Sequence, residues 1–190
     1  MKKAVFMDRD GTLSHEVGYV NHISRFRLYS FAPEAMKLLN QSDFLAICVT
    51  NQAGVARGYF EESLVKEVHK KMQEDLKRHG AYLDDIFYCP HHPSAGGNPD
   101  FTVECNCRKP KPGMLLEAAK KHNIDLTKSF VIGDKISDVQ LARDVGAKGI
   151  MVMTGYGRGE YEYQRQNWDV FPDYIAENIL EAVKWILQNS

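Results

Sequence analysis

Ala4-Val5-Phe6-Met7-Asp8-Arg9-Asp10-Gly11-Thr12 is the stretch from which the rest of the sequence is read. An apolar run of strand length stops at two aspartates one residue apart, followed by Gly-Thr. Strand side chains alternate faces, so positions i and i+2 point the same way. Asp8 and Asp10 are therefore expected to crowd one spot at the strand's carboxyl end. Two carboxylates at that range repel, and a shared proton or a cation relieves them. Hard oxygen donors with room for a phosphate favour Mg2+ as that cation. Alone, the stretch reads equally well as a polar turn closing a buried strand, because Asp and Gly are common turn residues.

Further apolar runs at 44–49, 86–88, 130–132 and 149–153 have the composition of strands buried on both faces. Between them lie helical patterns over 32–40, 61–78, 112–122 and 136–145. Pro33 suits a first helical turn, and Glu61-Glu62 suit the positive end of the next helix. A last helix is expected over 174–187, with Ile175, Ile179, Val183 and Ile186 on one stripe. Strands alternating with helices imply right-handed crossovers and a doubly wound, mostly parallel α/β sheet, the whole of 1–190 forming one domain. Ligands of such sheets bind beyond the strands' carboxyl ends. Asp8, Thr50 and Asp134 each fall at such an end.

The bulk composition narrows the classes. With 190 residues, 44% hydrophobic and 26% charged, the chain can bury a proper core without disulfides. A formal net charge of −1 gives no basic field for nucleic acid. No run approaches the roughly 20 apolar residues of a membrane span, and Met1-Lys2-Lys3 leads straight into the first strand with no signal-peptide pattern. A cytoplasmic protein is the expectation. Of Cys48, Cys89, Cys105 and Cys107, three cluster near histidines, which favours metal binding over disulfides.

Three later stretches favour the catalytic reading of the first. Thr50-Asn51-Gln52-Ala53-Gly54 can present a hydroxyl, an amide and a glycine turn to phosphate oxygens. Arg108-Lys109-Pro110-Lys111-Pro112-Gly113 offers a bidentate fork and point charges on a loop stiffened by prolines. Gly133-Asp134 closes the fourth strand with a further carboxylate, placed as a third metal ligand. Asp138 is either a further ligand or a helix N-terminal support.

Cys89-Pro90-His91-His92-Pro93 and Cys105-Asn106-Cys107 supply Cys-x-His and Cys-x-Cys pairs. Four such ligands fit closed tetrahedral Zn2+, bound by Cys89, His91, Cys105 and Cys107, with His92 the competitor for His91. A filled coordination shell makes the site structural. The insert Ser94-Ala95-Gly96-Gly97-Asn98-Pro99 has little to pack, so a metal staple explains how it is held. Arg108 and Lys109 follow the last ligand directly, so the metal would fix the backbone that aims them.

Taken in order, these stretches resemble the four motifs of the haloacid dehalogenase superfamily of phosphatases. DRDGT at 8–12, TNQAGVARG at 50–58, YCPHHP at 88–93, CNCRKPKPG at 105–113 and GDK at 133–135 are similar to its histidinol-phosphatase-like zinc-loop branch. The resemblance implies that Asp8 attacks phosphorus to give an aspartyl-phosphate. Asp10 would be general acid, then base. Mg2+ would be held by the Asp8 carboxylate, the Asp10 backbone carbonyl and Asp134. Thr50 and Lys109 would hold the transferring group, although Lys111 is an alternative to Lys109. No span is long enough for an inserted cap. Selectivity would then fall to a flap around Glu16-Val17-Gly18-Tyr19, the turn with Arg57, and the zinc loop. The resemblance further implies Thr50, Asn51, Gln52 and Ala53 as pocket lining and Arg108 and Lys135 as contacts to substrate phosphate. The substrate implied is a small sugar bisphosphate, and the enzyme a monomer. The tail after Gly155 carries no recognised motif.

The competing readings are a histidinol-phosphate phosphatase and a nucleic-acid-end phosphatase, the latter opposed by the near-neutral charge. A zinc-stabilised binding module with a decayed site is a third. The presence of both aspartates with Thr50, Lys109 and Asp134 speaks against decay.

Overall fold

The computed structural model describes residues 1–190. Six strands form one parallel sheet in the order β3-β2-β1-β4-β5-β6. They are β1 (Lys3–Met7), β2 (Phe44–Asn51), β3 (Asp85–Cys89), β4 (Phe130–Gly133), β5 (Lys148–Val152) and β6 (Tyr174–Ala176). The helices are α1 (Ala32–Asn40), α2 (Glu62–Arg78), α3 (Gly113–His122), α4 (Ile136–Asp144), α5 (Gly157–Tyr163) and α6 (Ile179–Gln188).

Strand alternation builds two cores. Val5, Met7, Ala46, Cys48 and Ile132 point to one face, where α1, α2 and α6 bring Met36, Leu39, Met72 and Val183. Ala4, Phe6, Ile47, Val49 and Val131 point to the other, where α3 and α4 bring Met114, Leu115 and Leu141. Both faces are covered, as parallel pairing requires. The strand order turns back on itself between β1 and β4, which pair from Val5↔Phe130 to Met7↔Ile132. That switch opens a crevice beyond the carboxyl ends of these two strands. Asp8 and Asp134 are the first residues past those ends.

The expected last helix is the main misreading. Residues 174–176 pair with β5 as a sixth strand, Ile175 opposite Met151, and the helix begins only at Ile179. Asn178 stops the strand and caps the helix, its Oδ1 accepting the backbone N–H groups of Leu180 and Glu181. Such a cap contributes about 1 kcal/mol. Ile179, Val183 and Ile186 form the buried stripe as expected, without Ile175. The sheet's carboxyl end carries no inserted domain. Between β1 and α1 runs a flap with one short turn of helix at Ile23–Arg25, and between β3 and α3 runs the Cys/His loop.

Candidate active site

The first strand ends at Met7, so Asp8 and Asp10 stand on a turn rather than on a strand. The Arg9 carbonyl accepts the backbone N–H groups of Thr12, Leu13 and Ser14 and winds this turn tightly. Both aspartates line one cleft of about 330 Å³, but their carboxylates part company. Asp8 faces Asp134 and Asp138, the oxygens of the three lying within 4.8 Å of one another and all three residues buried. Asp10 turns toward Arg9, whose Nε and Nη2 donate to its two oxygens at 3.0 and 2.7 Å.

Lys109 is the counter-charge of the acidic cluster. Its Nζ lies 3.1 Å from Asp8 Oδ1 and 2.7 Å from Asp138 Oδ1. Burial alone would push this ammonium toward neutrality, but Asp138 and Asp8 reverse that and raise its pKa. Asn51 sets the lysine's backbone: its Nδ2 donates to the Lys109 carbonyl at 3.1 Å and its Oδ1 accepts the Lys109 N–H at 3.0 Å. Lys111 stands apart, half exposed and 4.0 Å from Glu104, and does not line the cleft. Asp138 sits in the first turn of α4 and within the carboxylate cluster, its Oδ1 accepting from Lys109.

Asp134 is enclosed. Burial, then the charges of Asp8 and Asp138, push its pKa up to about 8. Its Oδ2 accepts the Tyr156 backbone N–H at 2.8 Å, while its Oδ1 and Asp138 Oδ2 find no hydrogen-bond partner in the protein. Buried carboxylate oxygens left unpaired are costly. Three hard donors of this kind fit a divalent cation such as Mg2+. Gly11 and Gly155, both at positive φ, give the Asp134 carboxylate its room, since a Cβ on either would strike its Oδ2.

The rest of the cleft is polar. Thr50, 1% exposed, accepts from Gln52 Nε2 at 2.9 Å. Glu16, Gly18, Tyr19, Asn51, Gln52, Ala53, Arg108 and Lys135 line it as the sequence suggested. Val17 and Arg57 do not. The Val17 carbonyl is instead taken by Arg25 at 2.9 Å. Arg57 points Nη2 at His92 Nε2, 3.4 Å away, because the insert folds back on its backbone. Gly97 packs against the Arg57 carbonyl, and Asn98 N–H donates to the Ala56 carbonyl at 2.8 Å. The insert expected to have little to pack is thus seated on the turn that follows β2.

Other cleft residues were not among the expected site residues. Tyr156 closes the cleft, its N–H on Asp134 and its ring 4.5 Å from Lys135 Nζ. Val20 and Ser137 also line the cleft. The tail left without a role also contributes Glu160, which accepts the Ile136 N–H at the start of α4.

Cys89, His91, Cys105 and Cys107 converge beside this cleft, their ligand atoms within 4.8 Å of one another. Cys107 Sγ lies 3.1 Å from Cys89 Sγ and 3.4 Å from His91 Nδ1. His92 is turned away, its Nδ1 accepting the Ser94 N–H. The donor set of three thiols and an imidazole fits a soft or borderline metal. Cys48 lies apart, buried in the core.

Comparison with known proteins agrees with this geometry. Residues 106–182 match the HAD-hydrolase-like family model. A crystal structure of D,D-heptose 1,7-bisphosphate phosphatase from B. bronchiseptica, complexed with magnesium and phosphate, superposes with a TM-score of 0.86 at 29% identity, covering 99% of each chain. Fold and site together define a haloacid-dehalogenase-like hydrolase, and the enzyme is a phosphatase. D-glycero-beta-D-manno-heptose-1,7-bisphosphate 7-phosphatase from Pasteurella multocida is 41% identical, over 98% of this chain and 97% of its own. The D-glycero-D-manno-heptose-1,7-bisphosphate 7-phosphatase of Thermosynechococcus vestitus is 39% identical, over 97% and 95%. The chain belongs to the family of D-glycero-D-manno-heptose-1,7-bisphosphate 7-phosphatases.

Proposed function

We propose that this enzyme removes the C7 phosphate of D-glycero-D-manno-heptose 1,7-bisphosphate, leaving the heptose 1-phosphate, with residues 1–190 acting as a single phosphatase domain. One cleft that joins the Asp8–Lys109 pair to two further cations, Arg108 and Lys135, carries the reading. It has an attacking group for one phosphate and positive charge to hold a second. The product keeps its anomeric phosphate, as a precursor of nucleotide-activated heptose for lipopolysaccharide core or other surface glycans would need.

Asp8 attacks phosphorus in line, forming an Oδ–P bond as the P–O bond to C7 breaks. Asp10 gives its proton to the departing oxygen, then takes one from the water that hydrolyses the aspartyl-phosphate. Burial works to raise the Asp10 pKa. The Arg9 charge, with hydrogen bonds from Arg9, Gln52 and Ser14, overrules it and holds the carboxyl below its ordinary value. That suits the base step. A doubly charged phosphate arriving nearby works the other way, favouring the protonated form needed for the acid step. Thr50 and Lys109 hold the phosphoryl oxygens from two sides. Mg2+ would be held by Asp8, Asp134 and the Asp10 carbonyl, with Asp138 on Lys109 behind them, and would supply charge neutralisation at the phosphoryl oxygens.

The Cys89-His91-Cys105-Cys107 cluster is read as a structural Zn2+ site. Free thiols gathered as metal donors fit the reducing cytoplasm, and a cleft complete within one chain is consistent with a monomer. The test is phosphate release with Mg2+ from both anomers of heptose 1,7-bisphosphate, fructose 1,6-bisphosphate and histidinol phosphate at equal concentrations. Preference for a heptose anomer is expected. Preference for histidinol phosphate would replace the substrate and leave the chemistry standing.

A further inference from the structure

We propose that Arg9, braced by His69, is a positioning residue that orients the acid–base carboxylate of Asp10. The inference rests on the reading of Asp10 as proton donor to the leaving oxygen. Arg9 lies between the two motif aspartates and is only 1% exposed. Its Nε and Nη2 donate to both oxygens of Asp10, at 3.0 and 2.7 Å. Nη2 also donates to Gln52 Oε1 at 2.9 Å, and Gln52 returns its Nε2 to Asp10 Oδ2 at 2.9 Å. Arg9, Gln52 and Asp10 thus close a ring of hydrogen bonds. Ser14 Oγ adds a longer contact to Asp10 Oδ1 at 3.4 Å.

A planar guanidinium that grips both oxygens fixes the plane of a carboxylate as well as its distance, which an ammonium cannot do. The fork must itself be held, and His69 does this from outside the catalytic turns. Arg9 Nη1 lies 3.3 Å from His69 Nε2. Burial, then the Arg9 charge, push the His69 pKa down to about 3, so the neutral ring can accept this bond. His69 is buried on α2, and its ring meets that of Tyr88 on β3 edge to face, 5.3 Å between centroids. Tyr88 in turn donates its hydroxyl to Glu62 at 2.8 Å. The setting of Asp10 is therefore tied to a helix and a strand that contribute no member to the cleft's carboxylate cluster.

A buried ion pair that merely closes the core predicts something different, and the leaving group separates the two. An alkoxide needs the proton from Asp10 as the P–O bond breaks, whereas a nitrophenolate departs without it. The experiment measures kcat/KM for heptose 1,7-bisphosphate and for p-nitrophenyl phosphate in the wild type, Asp10→Asn, Arg9→Met, His69→Leu and His69→Gln, with thermal melts alongside. Asp10→Asn and Arg9→Met are expected to lose on the order of 100-fold on the sugar phosphate, the usual worth of general acid catalysis, and only a few-fold on the aryl phosphate. His69→Leu should show a weaker loss with the same selectivity. His69→Gln, which keeps an acceptor, should recover most of it. Equal losses on the two substrates, or none on either, would overturn the proposal. If Arg9→Met does not fold, the contrast between His69→Leu and His69→Gln decides. A selective Asp10→Asn beside unselective Arg9 and His69 variants defeats the positioning role alone. An unselective Asp10→Asn defeats the acid–base reading, and this proposal with it.

Discussion

Asp8, Asp134 and Asp138 reach one another from the ends of β1 and β4 and the first turn of α4. Cys89, His91, Cys105 and Cys107, by contrast, come from the last residue of β3 and the one crossing that follows it to α3. The carboxylates are buried, at 7%, 0% and 1% exposure, by two helical layers and the sheet itself. Only Cys89 of the second set is fully buried; the other three ligands are half-buried in a loop. The ends of β1 and β4 and the start of α4 set the first cluster, and Lys109 offsets its repulsion. On the proposed reading, the second is a loop that a bound metal would hold. Losing a ligand should therefore damage chemistry at the first and structure at the second.

The largest break comes at the first cluster. Asp8→Asn keeps the side chain's shape and removes the nucleophile, so turnover should fall by on the order of 10⁴-fold or more. The variant should still fold, with its zinc content at the wild-type value. Steady-state phosphate release with a metal assay checks both. Residual turnover near that of wild type would exclude attack by Asp8.

Cys107→Ser should do the reverse. If the cluster holds zinc as proposed, loss of one thiolate should release it, and the protein should melt about 5 °C or more lower, the shift expected of a loss near 2 kcal/mol at this size. Arg108 and Lys109 follow Cys107 directly, so activity should also fall, by roughly 10- to 100-fold, as it does when the supports of a site are removed. Zinc content, melting and phosphate release on one preparation check this. A variant that loses zinc and keeps full activity would show that the Asn51 clamp alone aims Lys109.

The carboxylate cluster allows a sharper test of its own repulsion. The Asp134 pKa of about 8 lies above the roughly 3.9 of an unfolded aspartate. The folded chain thus keeps a proton that the unfolded chain gives up. The stability this lends is complete below about pH 4 and is lost as pH climbs toward 8. Asp134→Asn removes that loss. In Mg2+-free buffer at pH 8, without chelator so that zinc stays, it should melt about 3 °C or more above wild type, with a smaller gap at pH 5. Adding Mg2+ should raise the wild type and leave the variant unmoved.

What the sequence disclosed follows the same division. Contiguous features read correctly: apolar runs placed five strands, α1 was found to the residue, and the Cys/His pairs marked their own cluster. Features made by long-range pairing did not. Residues 174–176 are helical in spacing and become a strand only because β5 offers an edge. Tyr156 serves Asp134 through its backbone N–H, which any residue type could supply, so no side-chain motif marks it. Strict strand alternation would aim Arg9 away from the two aspartates. The chain has already left the strand at Met7, and the turn brings its guanidinium back onto Asp10.

Arg57 is the smallest of these tests and the one that fixes the boundary between the two regions. The sequence put it among the selectivity residues of the cleft. In the structure its backbone receives the Gly97 turn of the insert and its side chain faces His92. A residue in that position couples the turn after β2 to the Cys/His loop and lies outside the cleft lining. Arg57→Met keeps the aliphatic stem and removes a guanidinium whose Nε is buried and unpaired. Only a change within about 1 kcal/mol in stability is expected, since the lost contact to His92 is long and the orphaned donor goes with it. KM for the bisphosphate should stay within about twofold, because no transition-state or ground-state contact is removed. A tenfold rise in KM with unchanged kcat would mean that Arg57 reaches the substrate and that the cleft extends past Ala53 to the insert.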